Sequence, residues 1–394
     1  MNTRTPLETP APTVVLSVAF NEDCSYFAVG LNTGFCNFNA GISLVHMMGK
    51  ANYVGLVGGG KRPKFATNKL ILWDELKSKA ALEISALTPV RGAQLSKDRI
   101  AIVLQNSVRI YKVTKPPTLL SAYETANNPW GLCCLVQKRI AFPGRTPGHV
   151  QLVEMATGNV SIIPAHSSPV KALQLSPDGE LLATASEKVG LSLKNQKGTL
   201  IRVFATSNCA RLIELRRGID PATIFSLAFS PSGTMLACTS DKSTLHIFDV
   251  PHPKRPSRQI QQQQNGSSSS SQTLGPKNGT GASDNGADGK GKWGILSKIP
   301  MMPRVFSDVY SFASAPFEVD DEETPVVPGL PMSESTTLGT SKPPKGVIGW
   351  LNESTLLVVG AGTDARWEKF VIHEGLDGRR YCVREGWKRY LPSP

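Results

Sequence analysis

An all-β fold, a seven-bladed β-propeller, is what this sequence of 394 residues predicts. Three observations lead there. A unit of strand, turn and strand recurs along the chain. The 35 glycines and 29 prolines suit many short strands joined by tight turns. No apolar run approaches the roughly 18 residues that a membrane-crossing helix needs.

The repeat is clearest where Ser176-Pro177-Asp178-Gly179 links the alternating segment 172–175 to the apolar segment 181–185. Ser230-Pro231-Ser232-Gly233 links 226–229 to 235–239 in the same way, so each copy reads as a β-hairpin with a glycine-bearing turn. Third strands follow at 199–204 and 244–248, and weaker copies begin at Val18-Ala19-Phe20-Asn21, Gln94-Leu95-Ser96-Lys97 and Gly349-Trp350-Leu351-Asn352. A unit of about 40 to 50 residues is one propeller blade. The expected blades are 12–45, 46–84, 85–123, 124–163, 164–218, 219–250 with an outer strand beyond a long loop, and 342–390. A strand shared between the termini is expected to close the ring.

Blades one to six thus occupy 12–250, an inserted loop 251–341, and the last blade 342–390. Within the loop, 251–292 carries Gln261-Gln262-Gln263-Gln264 and a serine run, a composition expected to be disordered because it cannot bury enough apolar surface to offset chain entropy. The stretch 293–317 is different: apolar, aromatic and basic. Pro303 suits the first turn of a helix, after which Val305, Phe306, Val309, Phe312 and Ala313 share one face. With Trp293, Ile295 and Leu296 upstream, this predicts a helix lying in a membrane interface. The alternative is that the stretch packs on the side of blade six.

The formal charge of +12 asks for an anionic partner without choosing one. Seven cysteines, with only Cys133 and Cys134 close together, give neither a zinc spacing nor a disulfide framework. Six histidines show no metal spacing, and no catalytic set is visible, so no enzyme, metal or cofactor is expected. Gly55, Gly60 and Lys61 have the spacing of a phosphate loop, but Arg62 and Pro63 stand where the magnesium hydroxyl and the helix should be. A turn in the second blade is the better reading. The polar N-terminus and the lack of a spanning run predict a soluble, cytoplasmic protein.

Leu215-Arg216-Arg217-Gly218 falls between the fifth and sixth repeats. Neighbouring side chains on a strand point to opposite faces, so the two arginines would serve two pockets, and guanidinium forks suit phosphate oxygens. A solvated basic turn is the other reading of such a pair.

The stretch 166–250 resembles the PROPPIN family, in its Leu-Arg-Arg-Gly branch, and the likeness extends to Gly58-Gly59-Gly60-Lys61, Ile71-Leu72-Trp73-Asp74 and Asp220-Pro221-Ala222-Thr223. The resemblance implies binding of phosphatidylinositol 3-phosphate and phosphatidylinositol 3,5-bisphosphate, with roles in autophagy and in vacuolar or endosomal traffic. By motif position it implies a first pocket of His166, Ser186, Thr199, Arg202 and Arg216, and a second of Arg217, Ser240, Lys242, Thr244 and His246. His166 and His246 could instead be satisfied strand-end histidines. This chain departs from the family at 189–197, an insertion between Lys188 and Gly198 beside the first pocket.

The implied protein is a non-enzymatic, monomeric scaffold, peripheral on vacuolar, endosomal and pre-autophagosomal membranes, that recruits autophagy proteins. A general WD-repeat interaction scaffold for an acidic partner is the alternative. A nucleic-acid partner is not expected, because aromatic residues are not interleaved with the basic ones.

Overall fold

Turn chemistry shapes the two clearest repeats, blades five and six. The Ser176 hydroxyl donates to Asp178 Oδ1 at 2.6 Å and accepts from the Leu181 N–H at 2.9 Å. Gly179 supplies the positive φ of 71° that the turn requires. At Ser230 the serine of the second copy accepts from the Met235 N–H in the same way.

The computed structural model describes residues 13–34, 39–60, 62–186, 199–218, 220–255, 309–318, 346–362 and 365–391. Its strands form seven sheets. Blade one holds β1 (Val15–Phe20) and β2 (Phe27–Leu31), and blade two β3 (Ile42–Met47), β4 (Tyr53–Gly58), β5 (Lys69–Asp74) and β6 (Lys79–Ser85). Blade three holds β7 (Gly92–Leu95), β8 (Arg99–Val103), β9 (Ser107–Lys112) and β10 (Thr118–Glu124). Blade four holds β11 (Cys134–Val136), β12 (Arg139–Pro143), β13 (His149–Glu154) and β14 (Val160–Pro164). Blade five holds β15 (Val170–Leu175), β16 (Leu181–Ser186), β17 (Leu200–Ala205) and β18 (Arg211–Arg216), with β22 (Val309–Tyr310) added in parallel at its outer edge. Blade six holds β19 (Ile224–Phe229), β20 (Met235–Ser240), β21 (Thr244–Asp249) and β23 (Ala313–Pro316), and blade seven β24 (Val347–Trp350), β25 (Thr355–Val359), β26 (Arg366–Glu374) and β27 (Arg380–Arg389).

The second strands β16 and β20 are buried along nearly their whole length, because a neighbouring blade covers each face. That is why they read as apolar runs and not as alternating ones. The core is accordingly divided among the junctions between blades. Val57 and Leu70 meet Ile100 and Ile102 between blades two and three, and Val108 and Ile110 meet Ile140 and Phe142 between three and four. Ile163 meets Leu182 and Phe204, Leu215 meets Leu236 and Phe248, and Leu245 meets Leu356 and Phe370. Val15 meets Val359, and Ala28 leans on Leu56, which completes the ring.

Three expectations are corrected. Ile42–Met47 is the first strand of blade two and not the end of blade one, so blade one has two strands among the described residues. Among the described residues no strand is shared between the termini to close the ring either. Val15 and Gly362 exchange backbone bonds of 2.9 and 3.1 Å, and the Phe27 ring packs edge-on against Tyr390 at 5.3 Å.

The third correction concerns 309–317, which holds two strands, 309–310 and 313–316, and not a helix. Val309 pairs with Leu215, Ala313–Pro316 is the outer strand of blade six, Val309 packs on the junction of blades five and six, and Phe312 packs on the junction of six and seven. Edges of β18 and β21 were open to pair, and pairing satisfies backbone groups that a short surface helix would leave to water. Val309 and Phe312 are therefore part of the propeller, while Trp293, Ile295, Leu296, Val305 and Phe306 lie outside the described residues.

Gly55 lies inside strand β4 and Gly60 follows it with a positive φ of 78°, so the glycine run is a strand end and turn of blade two and not a phosphate loop. At Gly58 a side chain would meet the Phe65 carbonyl oxygen at 1.8 Å, so the glycine is required by close backbone approach at the end of β4. Burial pushes Cys134 up to about 11 and Cys238 and Cys382 up to about 12, which keeps them as thiols. Among the described residues no helix is long and apolar enough to cross a membrane.

Candidate anion-binding rim

The ladder of blade five places the arginine pair. Arg216 pairs with Leu200 and Glu214 with Arg202, so these four side chains share one face of the β17 and β18 sheet. Leu215, Ile201 and Val203 occupy the other face and pack toward blade six. Arg216 therefore stands on the side of blade four. Arg217, one residue on, reaches the other way and donates from Nη2 to Thr244 Oγ1 of blade six.

On the blade-four side, Arg202 donates from Nε to Glu214 Oε2 at 2.8 Å and from Nη1 to the Ala165 carbonyl at 2.6 Å. His166, beside that carbonyl, is 8% exposed and shares a 2.9 Å hydrogen bond between Nε2 and Thr184 Oγ1. Burial, with the Arg202 charge adding to it, pushes His166 down to about 4, so the ring is neutral at pH 7. Ser186 ends β16 on the same face as Thr184 and is half-buried. The insertion at 189–197 lies outside the described residues.

Thr199 behaves differently from its expected neighbours. Its hydroxyl donates to the Ala222 carbonyl at 2.8 Å and accepts from the Ala222 N–H at 2.7 Å, and its own carbonyl accepts from the Arg217 N–H at 3.2 Å. With its hydroxyl committed on both sides, it holds the link that carries Arg217 in place.

On the blade-six side, Arg217 is 6% exposed, and among the described residues no carboxylate pairs with it and its buried Nε has no hydrogen-bond partner. Thr244 Oγ1 also lies 3.2 Å from His246 Nε2, and His246 Nδ1 lies 2.9 Å from Ser311 Oγ. Burial first, then the Arg217 charge, pushes His246 down to about 4. Ser240 is wholly buried and serves the turn: its carbonyl accepts from Ser243 and its hydroxyl from the Lys242 N–H at 3.4 Å. Lys242 is exposed at the tip of that turn.

Thus His166, Arg202 and Arg216 are brought to one side and Arg217, Thr244 and His246 to the other. Sequence reading missed Thr184, Glu214 and Ser311. The first two stand two residues from Ser186 and Arg216 on their strands, and the same-face rule would have found them. Ser311 carried no such signal, since it lies 65 positions from His246. Among the described residues no group of three His, Cys, Asp or Glu is placed to hold a metal.

A family model described as PROPPIN matches residues 76–262. The SVP1-like protein 2 of Emericella nidulans is 54% identical over 88% of this chain and 99% of its own length. The chain belongs to the PROPPIN family. Its likeness to the SVP1-like protein 2 of Neurospora crassa, 50% identical, covers 99% of both proteins. PROPPINs are autophagy-related, non-catalytic propellers that bind phosphoinositides. Kluyveromyces lactis Hsv2, 18% identical, superposes on this PROPPIN with a TM-score of 0.67 over 96% of the chain and all of its own. The propeller in the complex of KlAtg21 with the coiled coil of AgAtg16 superposes at 0.63 with 17% identity, covering 96% of this chain and all of that one. These two likenesses speak to the shared fold alone.

Proposed function

We propose that this PROPPIN is an effector of phosphatidylinositol 3-phosphate and phosphatidylinositol 3,5-bisphosphate, with one headgroup pocket on each side of Leu215-Arg216-Arg217-Gly218. The observation that carries the reading is Arg217: a guanidinium almost wholly out of water, with no carboxylate beside it among the described residues. A desolvated, uncompensated cation is costly, and an anionic ligand is the natural remedy. Arg216 and Arg202, with His166, Thr184 and Ser186, form the first pocket, and Arg217, Thr244, His246 and Lys242 the second. Thr199 and Ser240 position the backbone around them. The protein acts without turnover, as a monomeric scaffold that brings autophagy proteins to vacuolar, endosomal and pre-autophagosomal membranes.

Sedimentation with vesicles carrying each phosphoinositide in turn tests this. Wild type is expected to pellet with the two 3-phosphorylated lipids and not with phosphatidylcholine alone. Arg216→Thr with Arg217→Thr should abolish pelleting at an unchanged melting temperature. A double variant that pellets like wild type would leave a protein scaffold for an acidic partner as the better reading.

A further inference from the structure

Residues 309–312 form the arm by which the chain re-enters the propeller after the inserted loop. Tyr310 is the ladder partner of Arg216, and the Phe312 N–H donates to the Ile247 carbonyl at 3.0 Å. Ser311, between them, is held at both sides by backbone pairing. Its hydroxyl sits 2.9 Å from His246 Nδ1, whose other nitrogen faces Thr244 Oγ1, the oxygen that receives Arg217. The four side chains make a continuous relay from a buried cation to a half-buried hydroxyl.

Counting protons along the relay shows what it offers. Arg217 can only donate, so Thr244 Oγ1 accepts from it. If Thr244 then donates to Nε2, the imidazole proton lies on Nδ1 and is given to Ser311, whose own proton is left over. If instead the proton lies on Nε2, Ser311 donates to Nδ1 and the Thr244 proton is left over. In either tautomer a neutral His246 leaves one hydroxyl proton unspent, on Ser311 or on Thr244.

We infer that Ser311 belongs to the second pocket, as the positioning residue that fixes the His246 ring and keeps a hydroxyl donor available to a phosphate. This rests on the pocket reading above and extends it to the arm. The loop is thereby joined to the headgroup machinery: one short segment touches Arg216 through the ladder and His246 through its side chain.

The test measures binding to phosphatidylcholine vesicles doped with phosphatidylinositol 3-phosphate, using the full chain and removing one pocket at a time. In the Arg216→Thr background, where the second pocket works alone, Ser311→Ala should weaken binding about threefold to tenfold, the value of one hydrogen bond. In the Arg217→Thr background the same change should do nothing. Ser311→Thr, which keeps the hydroxyl, should restore the affinity, and melting temperatures should agree within each pair. An unchanged affinity for Ser311→Ala in the first background overturns the inference, as does equal weakening in both backgrounds, which would mark a general structural role. If Arg217→Thr alone binds like wild type, the pocket reading itself falls, and that single variant tells the two failures apart.

Discussion

At the scale of single residues, the neutral histidines make stability depend on pH. An unfolded histidine takes its proton near pH 6.5, whereas His166 in the fold takes it only at about 4. Between those values the unfolded chain binds more protons, so stability rises with pH; the contribution is complete above about pH 6.5 and is lost as pH falls toward 4. For His166 the loss reaches at most about 3 kcal/mol. Urea denaturation of wild type and His166→Gln from about pH 7 to about pH 4.5 checks this. The variant should have the flatter profile, and equal slopes would refute the assignment. The arginines make a different prediction. Arg216→Thr or Arg217→Thr alone should weaken vesicle binding only in part, because two pockets on one rigid rim add by avidity. A single change as severe as the double one would mean one site.

Elements explain why the apolar stretch before residue 318 did not become a helix. Val305, Phe306, Val309 and Phe312 repeat at helical spacing, but the ladder edges left open by β18 and β21 took 309–310 and 313–316 as strands. Phe312 then lies under the Arg380 guanidinium, 3.6 Å from its ring centre, with Arg380 tied to Asp249. Phe312→Ser should therefore destabilise the fold by about 1 to 3 kcal/mol through lost packing. Thermal melting reads the effect; an unchanged melting temperature with lost vesicle binding would return this residue to the membrane.

The whole molecule is a ring that closes where blade one meets blade seven. Blades one and seven meet through the backbone bonds of Val15 with Gly362, the packing of Val15 and Val18 on Val359, and the contact of Phe27 with Tyr390. Tyr390 also donates to the Gly360 carbonyl at 2.6 Å. Tyr390→Ala should lower the melting temperature and speed hydrogen exchange in β1 and β2 before the other blades; uniform exchange would show closure to be no weaker there. The formal charge of +12 acts at this scale too. As the Debye length contracts from about 10 Å at 0.1 M salt to about 3 Å at 1 M, vesicle binding should fall while headgroup preference persists. Binding that survives high salt without any phosphoinositide would assign the affinity to apolar insertion.

Local pattern was enough for the propeller, because the fifth and sixth blades carry the turns Ser176-Pro177-Asp178-Gly179 and Ser230-Pro231-Ser232-Gly233 and second strands buried on both faces. It was also enough for the divergence of Arg216 and Arg217, since adjacent side chains on any strand must part. Which groups meet them was not legible. Thr184 reaches His166 across a blade junction, Glu214 takes Arg202, and Ser311 comes back to His246 after the inserted loop. Nor was the short first blade, whose two strands among the described residues emerge only when the sheets are paired. Periodicity is a property of neighbours in the chain and dictates which face a residue occupies. Pairing is a competition for free ladder edges and open junctions, and those exist only once the other blades have folded.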